Sequence, residues 1–435
     1  MRSFYTLVLT QTLSLIGSRM TSVGVGIYLF KTTGAATPLL MLAFFNELPG
    51  MLGGSLAGVW VDRWDRRKVM LFADLGQALG SALLIGLFLT GRFQLWQLYL
   101  IAFIQGIFSI FQGPAEDAAI TMLVPENQRE RANALREMAF PFAGVIAPVL
   151  AGLVYAAAGI AGVLAIDLVS FLAAVIALAF ITIPQPTASM LGEASRGSFR
   201  REIAAGFSFL AAASGLLILV IYSTFTSFLL NGPIDLAIPY LMKFTGSEAG
   251  MGGYLGLMSL GAFSGALLIT LRPNIRPRMG LLLGGMLLNG VMFLVFGAAR
   301  SPWVFGIALF LLMLPLPVSN ALFISIIQLK TPADLQGRIF SIVEQLGYLG
   351  STVSFFLTGY LVDHVLNPPA GVPAWIRQAP VIGSQFNPGM RLVMIVAGLL
   401  MLAATLLVAA WPRVRELETR LPDYKAIPSV ELLKE

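Results

Sequence analysis

The sequence predicts an all-α membrane protein of twelve transmembrane helices in two pseudo-symmetric six-helix bundles. Three observations predict it. The 435-residue chain is 57% hydrophobic and only 11% charged, with a mean hydropathy of +0.83; a soluble domain carries about 25% charged residues. Twelve apolar runs are near or above the ~20 residues a helix needs to cross a bilayer. Finally, the chain repeats itself at an offset of 207 residues. Gly54 and Gly58 recur as Gly261 and Gly265, and Pro125, Arg131, Glu137 and Gly152 recur as Pro332, Arg338, Glu344 and Gly359. Glycine matches alone are cheap in a chain with 44 glycines. A Pro, Arg, Glu and Gly matched in order are harder to obtain by chance.

The spans fall at about 4–30, 38–61, 69–90, 95–116, 132–158, 160–184, 214–240, 248–271, 279–299, 303–327, 339–363 and 390–411. Span 1 has no short apolar core ending in a cleavage site, so it reads as an uncleaved first helix. Spans 2 and 8 carry the repeated glycines. Spans 5 and 6 join through almost no loop at Gly159. The expected domains are an N-terminal bundle over 1–184, a linker over 185–213, a C-terminal bundle over 214–411 and a tail over 412–435. The linker starts at Pro184 and Pro186 and ends in an amphipathic stretch near Phe199–Leu210, of the kind that lies on a membrane surface. The loop over 364–389 is proline-rich and is expected to cover part of the external vestibule. The tail from Pro412 is polar and is expected to be cytoplasmic and mobile.

Lys and Arg set the orientation. With the N-terminus inside, inner segments hold 21 of the 28 and outer loops hold six; Arg19 lies within a span. Both termini are therefore expected in the cytoplasm and the chain in the inner (plasma) membrane. The net charge of +6 belongs to this loop bias and not to a nucleic-acid surface. The absence of cysteine excludes thiolate catalysis and Cys-based metal sites. A single histidine, His364, excludes a His cluster and the H-E-x-x-H motif. No G-x-x-x-x-G-K-[ST] loop occurs, so ATP drive is not expected. Duplicated halves in a polytopic chain mark secondary transporters, whose site lies between the halves.

The strongest local signal is Gly58-Val-Trp-Val-Asp62-Arg63-Trp-Asp65-Arg66-Arg67-Lys68, a short turn between spans 2 and 3. A positive-inside loop explains Arg66, Arg67 and Lys68, but it explains Gly58 and Asp62 less well. Span 5 carries Gly144-Val-Ile-Ala-Pro148-Val-Leu-Ala-Gly152, small residues around a proline that removes a backbone hydrogen bond. A generic kinked packing helix would also read this way.

The loop resembles the signature of the major facilitator superfamily. That resemblance implies that Asp62, Arg63 and Arg66 latch the inner ends of the halves. It also implies that the loop faces span 11, where Arg338 and Glu344 match Arg131 and Glu137 of span 5. Asp62 with Arg338 is the expected exchangeable contact, unless these charges are only interfacial caps. The symmetric loop Arg272-Pro-Asn-Ile-Arg276-Pro-Arg278 has no acid, so the second latch is degenerate. The span 5 stretch is similar to the antiporter motif of drug exporters, with Ala147 and Ala151 where glycine is usual. Ala73-Asp74-Leu75, Leu123-Val-Pro-Glu126, Arg131-Ala-Asn133, Ala165-Ile-Asp167, Gly337-Arg338-Ile-Phe-Ser341 and Gly359-Tyr-Leu-Val-Asp363 resemble the macrolide-efflux branch, which includes siderophore exporters similar to the enterobactin exporter. The branch implies proton-driven export of an amphipathic small molecule without a bound cofactor, and a monomer is expected. A dedicated siderophore or metabolite exporter and a lipid transporter stay open on the same fold.

Ionisable residues inside a membrane are costly and are functional candidates by default. Arg19 and Glu47 lie at similar depth on neighbouring helices, by the rise of ~1.5 Å per residue. They are expected to be paired or close, as a protonation switch at Glu47 or as a fixed ion pair. Asp167 and Asp235 are expected nearer the outer face, as proton sites or wetted interfacial acids. Asp74, Glu116 and Asp117, near inner ends, read better as structural. In the family, spans 1, 4, 7 and 10 line the cavity beside spans 2, 5, 8 and 11. Asn46, Gln105, Phe108, Gln112, Tyr222, Phe225, Asn231 and Asn320 are the candidate wall residues.

Overall fold

A computed structural model describes residues 2–61, 64–125, 129–183, 199–271, 276–368, 371–378 and 387–420. Spans 1 to 4 are helices over Arg2–Thr33, Thr37–Val61, Arg66–Leu89 and Leu95–Leu123. Spans 5 and 6 share Arg129–Phe180, which folds back at Gly159 with φ 64° and ψ −165°. Only glycine adopts that backbone readily, and the sequence marks the same junction. Span 7 is Ser214–Asp235, continued as Ala237–Thr245. Spans 8 and 9 are Glu248–Leu271 and Arg278–Ala298. Span 10 breaks at Leu314 into Pro302–Met313 and Pro315–Lys330, because Pro315 cannot donate into the first piece. Span 11 is Ala333–Tyr360 and ends in a π turn over Leu361–Leu366. Span 12 is Pro388–Ala410.

Ten described helices are long and apolar enough to cross a membrane. One of them, Met138–Phe180, is two spans folded at Gly159, and Thr37–Val61 has 25 residues. The crossing segments are thus twelve, in two six-helix bundles. We call the face that carries most of the basic residues inner.

The bundles meet along two seams, span 2 against span 11 and span 5 against span 8. The repeated glycines explain how backbones come this close. A Cβ on Gly152 would collide with the Glu248 carbonyl of span 8, and one on Gly359 would press on Thr37 and Leu40 of span 2. These two glycines are repeat mates, and they do the same work on opposite seams. Gly261 and Gly265 act within the second bundle, where a Cβ would overlap the carbonyls of Phe310 and Leu314 at the break in span 10.

The tail corrects the sequence reading. Its first residues are docked, not mobile: Pro412–Arg415 and Leu417–Arg420 form short helices, with Val414 and Leu417 fully buried. Glu418 accepts the Met279 N–H at 2.5 Å, capping span 9, and the Glu418 carbonyl accepts from Lys330 at 2.8 Å. Residues 421–435 and most of the linker, 185–198, lie outside the described residues. The amphipathic stretch is a helix over Phe199–Ala212 that packs on spans 7 and 11.

Candidate functional site: a polar cavity under a closed outer seam

The outer seam is held by contacts that cross between bundles. Lys31 at the end of span 1 pairs with Glu248 at the start of span 8. The π turn of span 11 carries Asp363 to the start of span 2, where its carboxylate accepts the Ala36 N–H at 3.1 Å and the Thr37 N–H at 2.5 Å. The first N–H groups of a helix have no intrahelical partner, and the helix dipole favours an acid there. Asp363 is therefore an N-terminal cap supplied from the other bundle. Thr37 Oγ1 returns a hydrogen bond to the Gly359 carbonyl at 2.9 Å.

Beneath the seam lies a cavity of about 380 Å³. Span 1 contributes Ser18, Arg19 and Ser22, span 2 contributes Asn46 and Glu47, and span 4 contributes Gln105 and Ser109. Asp167 reaches it from span 6 and Asp235 and Ile238 from span 7, with Phe355 from span 11. Residues of both bundles thus enclose three carboxylates and one arginine. Their partners differ. Asp167 is 1% exposed and accepts from Ser81 Oγ at 2.7 Å and Ser18 Oγ at 3.2 Å. Glu47 accepts from Ser351 Oγ of the other bundle at 3.3 Å. Asp235 has no hydrogen-bond or ion-pair partner among the described residues.

Arg19 and Glu47, expected to be paired or close, share this cavity without forming an ion pair. Arg19 stacks its guanidinium over the Phe140 ring, 3.7 Å from the centroid. Gly144 makes room for it, since a Cβ there would lie 3.0 Å from an Arg19 nitrogen. Depth along a helix fixed the level of the two side chains but not their direction. Asp167 packs against Gly17 and Ser18, about halfway along span 1, and against Ser81 in the outer half of span 3.

A second cavity, about 530 Å³, continues toward the inner face. It shares Ser18, Gln77, Ser109 and Phe171 with the first and reaches Gln112, Glu116 and Arg136. A third, about 320 Å³, lies inside the second bundle and is lined by Tyr222 and Asn320 among others; the Tyr222 hydroxyl is 2.7 Å from Thr405 Oγ1. Three wall candidates fall elsewhere. Phe108 sits over Gly76 and lines an apolar groove with Trp64, Phe72 and Phe111 on the far side of span 4. Phe225 stacks on Phe228, and Asn231 donates to the Ser227 carbonyl at 2.8 Å; neither lines these three cavities.

At the inner face Asp62 and Arg63 lie outside the described residues, as do the side chains of Arg131 and Glu137 and the surroundings of Gly58. Arg66 is 7% exposed, and its Nε finds no hydrogen-bond partner among the described residues. Arg338 is half-buried and Glu344 exposed. Higher on the same seam Gln345 donates to the Met51 carbonyl, and Tyr348 covers Gly50 and Gly54. In span 5, the Pro148 carbonyl meets Gly252 of span 8, one turn inside the contact between Gly152 and Glu248. Sequence reasoning favoured a structural part for Asp74, and it missed Asp363 as a cap and Gln77. A polar residue every third or fourth position on spans 1, 3 and 4 is the signal that points to Gln77.

The chain is similar to Macrolide efflux protein A of Streptococcus pyogenes, 27% identical over 380 residues that cover 86% of this chain and 91% of that one. It is also 27% identical to the enterobactin exporter EntS of Escherichia coli over 336 residues, 74% of this chain and 76% of the other. Its fold is that of a bacterial homolog of the human lysosomal transporter Spinster, with a TM-score of 0.69 at 17% identity, covering 94% and 96% of the two chains. The Major Facilitator Superfamily profile matches residues 7–355, and with twelve spans in two bundles around a shared polar cavity, this chain belongs to that superfamily of membrane transporters.

Proposed function

We infer that the chain exports amphipathic small molecules by proton antiport, through alternating access of one cavity to the two membrane faces. One observation carries this reading: three carboxylates and an arginine line a cavity between the bundles, beneath an outer seam closed by breakable contacts. An intramembrane acid in a wetted cavity is the usual device of a proton relay. Contacts such as Lys31 with Glu248 and Asp363 with span 2 join the bundles on the outer side, and they must break for the cavity to open outward. Protonation of Glu47, and of Asp167 behind it, biases the exchange between inward- and outward-open states. Asp62, Arg63, Arg66 and Arg338 latch the inner side when it closes. Both termini are cytoplasmic, and the protein works as a monomer.

The acid excess in the cavity favours a basic amphiphile over an anionic chelator. This supports macrolide-like cargo above siderophore-like cargo, although relatives of both names exist. The test is efflux of a macrolide panel and a lipophilic dye from expressing cells, with and without a protonophore. Protonophore-sensitive export of several compounds is expected. No export by a folded, inserted protein would move the reading to a dedicated siderophore, metabolite or lipid substrate. Glu47→Gln is expected to remove proton-dependent efflux while the protein still binds macrolide. Full efflux in that variant ends the assignment of Glu47.

A further inference from the structure

Among the described residues, apolar clusters close the first bundle at its two ends. One buried cluster gathers Phe4, Leu7, Val61, Met70, Ile120 and Leu178 at the inner end. Another gathers Val25, Leu29, Leu84, Leu98 and Leu164 at the outer end. The level between them is polar. Gln11, Ser14 and Ser18 supply it from span 1, Asp74, Gln77 and Ser81 from span 3, and Gln105, Ser109, Gln112 and Glu116 from span 4. Steps of three or four residues keep each set on one helix face.

These stripes meet at Asp74, which is 0% exposed. Gln11 Nε2 donates to its carboxylate at 3.0 Å and Gln112 Nε2 at 2.6 Å. Gln112 Nε2 also donates to Gln11 Oε1 at 3.0 Å, and Gln77 donates to Gln112 Oε1. The two cavities border this layer from either end. The upper one reaches Asp167, and the lower one reaches Glu116. Glu116 on span 4 is the charged group that interacts with Asp74; Asp117 and Arg136 lie beyond Glu116, and Asp167 lies at Ser18 and Ser81. Span 1 offers Gln11 and no charge at this level. Arg136 is already engaged, 2.6 Å from Asp117 and 3.8 Å from Glu116.

A carboxyl group is an expensive choice for this position. Two neutral amides hold it, one on each oxygen, and among the described residues no cation offsets the desolvation of the charged form. We propose that Asp74 is a relay acid on a proton route inside the first bundle, from Asp167 through Asp74 to Glu116 and the inner face. This rests on the proton-coupled reading above. A proton leaves the Asp167 carboxyl for cavity water as that O–H breaks, and a new O–H forms on the Asp74 carboxylate. Asp74 then passes the proton through water to Glu116, which releases it at the inner face. Asp74 lines neither cavity, but Gln11 and Gln112, which hold it, line the lower one, and Gln77 lines both; the cavities are roomy and polar enough for water. The glutamine amides hold the carboxylate in place and carry no proton. Substrate crosses between the bundles, whereas the proton leaves through one of them.

The test uses the full-length protein in liposomes with an internal pH dye and radiolabelled erythromycin as the probe. Proton-driven transport is measured under an imposed pH gradient, and erythromycin exchange with equal pH on both sides. In Asp74→Asn, driven transport and the accompanying proton movement are expected to fall about tenfold or more, while exchange persists. Asp74→Glu is expected to restore proton movement. Glu116→Gln, at the far end of the route, carries the same expectation as Asp74→Asn, so poor folding of one variant does not end the test. Wild-type proton movement in Asp74→Asn overturns the route. So does joint loss of exchange and driven transport in both folded variants, which would make the layer structural. Erythromycin transport without proton movement in the wild type would instead sink the proton-coupled reading itself.

Discussion

Asp363 satisfies two orphan N–H groups of span 2 from the opposite bundle, so its worth depends on the conformation. In the outward-closed state it caps a helix. Once the bundles part on this side it returns to water. Losing a helix cap costs about 0.5–2 kcal/mol, here charged to one state only. Asp363→Ala should therefore shift the population toward the outward-open state by about two- to thirtyfold. The chain has no native cysteine, so a Cys placed at Ser22, on the cavity wall, reports access cleanly. Faster labelling by an impermeant maleimide from outside is expected in Asp363→Ala, and an unchanged rate would count against the cap as a gate. Arg19 shows where residue-level reading stopped. Counting rise per residue put it in one cavity with Glu47, but the Phe140 ring took its guanidinium, and no depth count encodes an aromatic on span 5.

At the scale of elements, spacing was the readable quantity and facing was not. Span number, the fold at Gly159 and the glycine repeat were all legible, because length, backbone freedom and periodicity are written locally. The wall of the cavity was only half legible. Gln105 and Gln112 share a stripe with Ser109 and Glu116 and face inward. Phe108 lies beside that stripe, over Gly76, and faces the outer groove. A single aromatic looks the same in sequence whichever way it points. The glycines of span 8 give a firm prediction here. Gly265 sits against the Leu314 carbonyl, whereas Gly253 has open space around its Cβ position. Backbone cannot yield as a flexible side chain can, so Gly265→Leu is expected to cost about 1–3 kcal/mol by overpacking. Thermal unfolding in detergent should show a clear drop for Gly265→Leu and little change for Gly253→Ala. Equal stability of the two would mean that the close approach of spans 8 and 10 is dispensable.

For the whole molecule, the seams must be strong enough to close and weak enough to open in each cycle. Small residues meet that demand: Gly152 and Gly359 bring backbones together without interlocking side chains that would have to be pulled apart. The polar contacts at the outer seam fit the same demand. Lys31 and Glu248 keep 48% and 19% of their side-chain surface in solvent. Such a pair contributes about 0–1 kcal/mol and weakens with salt. Its value is orientation across the seam more than stability. Charge reversal separates the two. Lys31→Glu should move the outer side toward open by at most about fivefold at low salt, since it places like charges against each other across the outer seam. Glu248→Lys should do the same, and the double swap should recover closure because the pair is restored with its sign reversed. The Ser22 labelling rate follows all three variants, and high salt should bring the single variants back toward wild type. If the double swap labels as fast as the single variants, charge pairing is not what closes this corner. The backbone contacts of span 5 with span 8 at Gly152 and Gly252 would then hold this corner, and Gly152→Ala would become the variant that opens it.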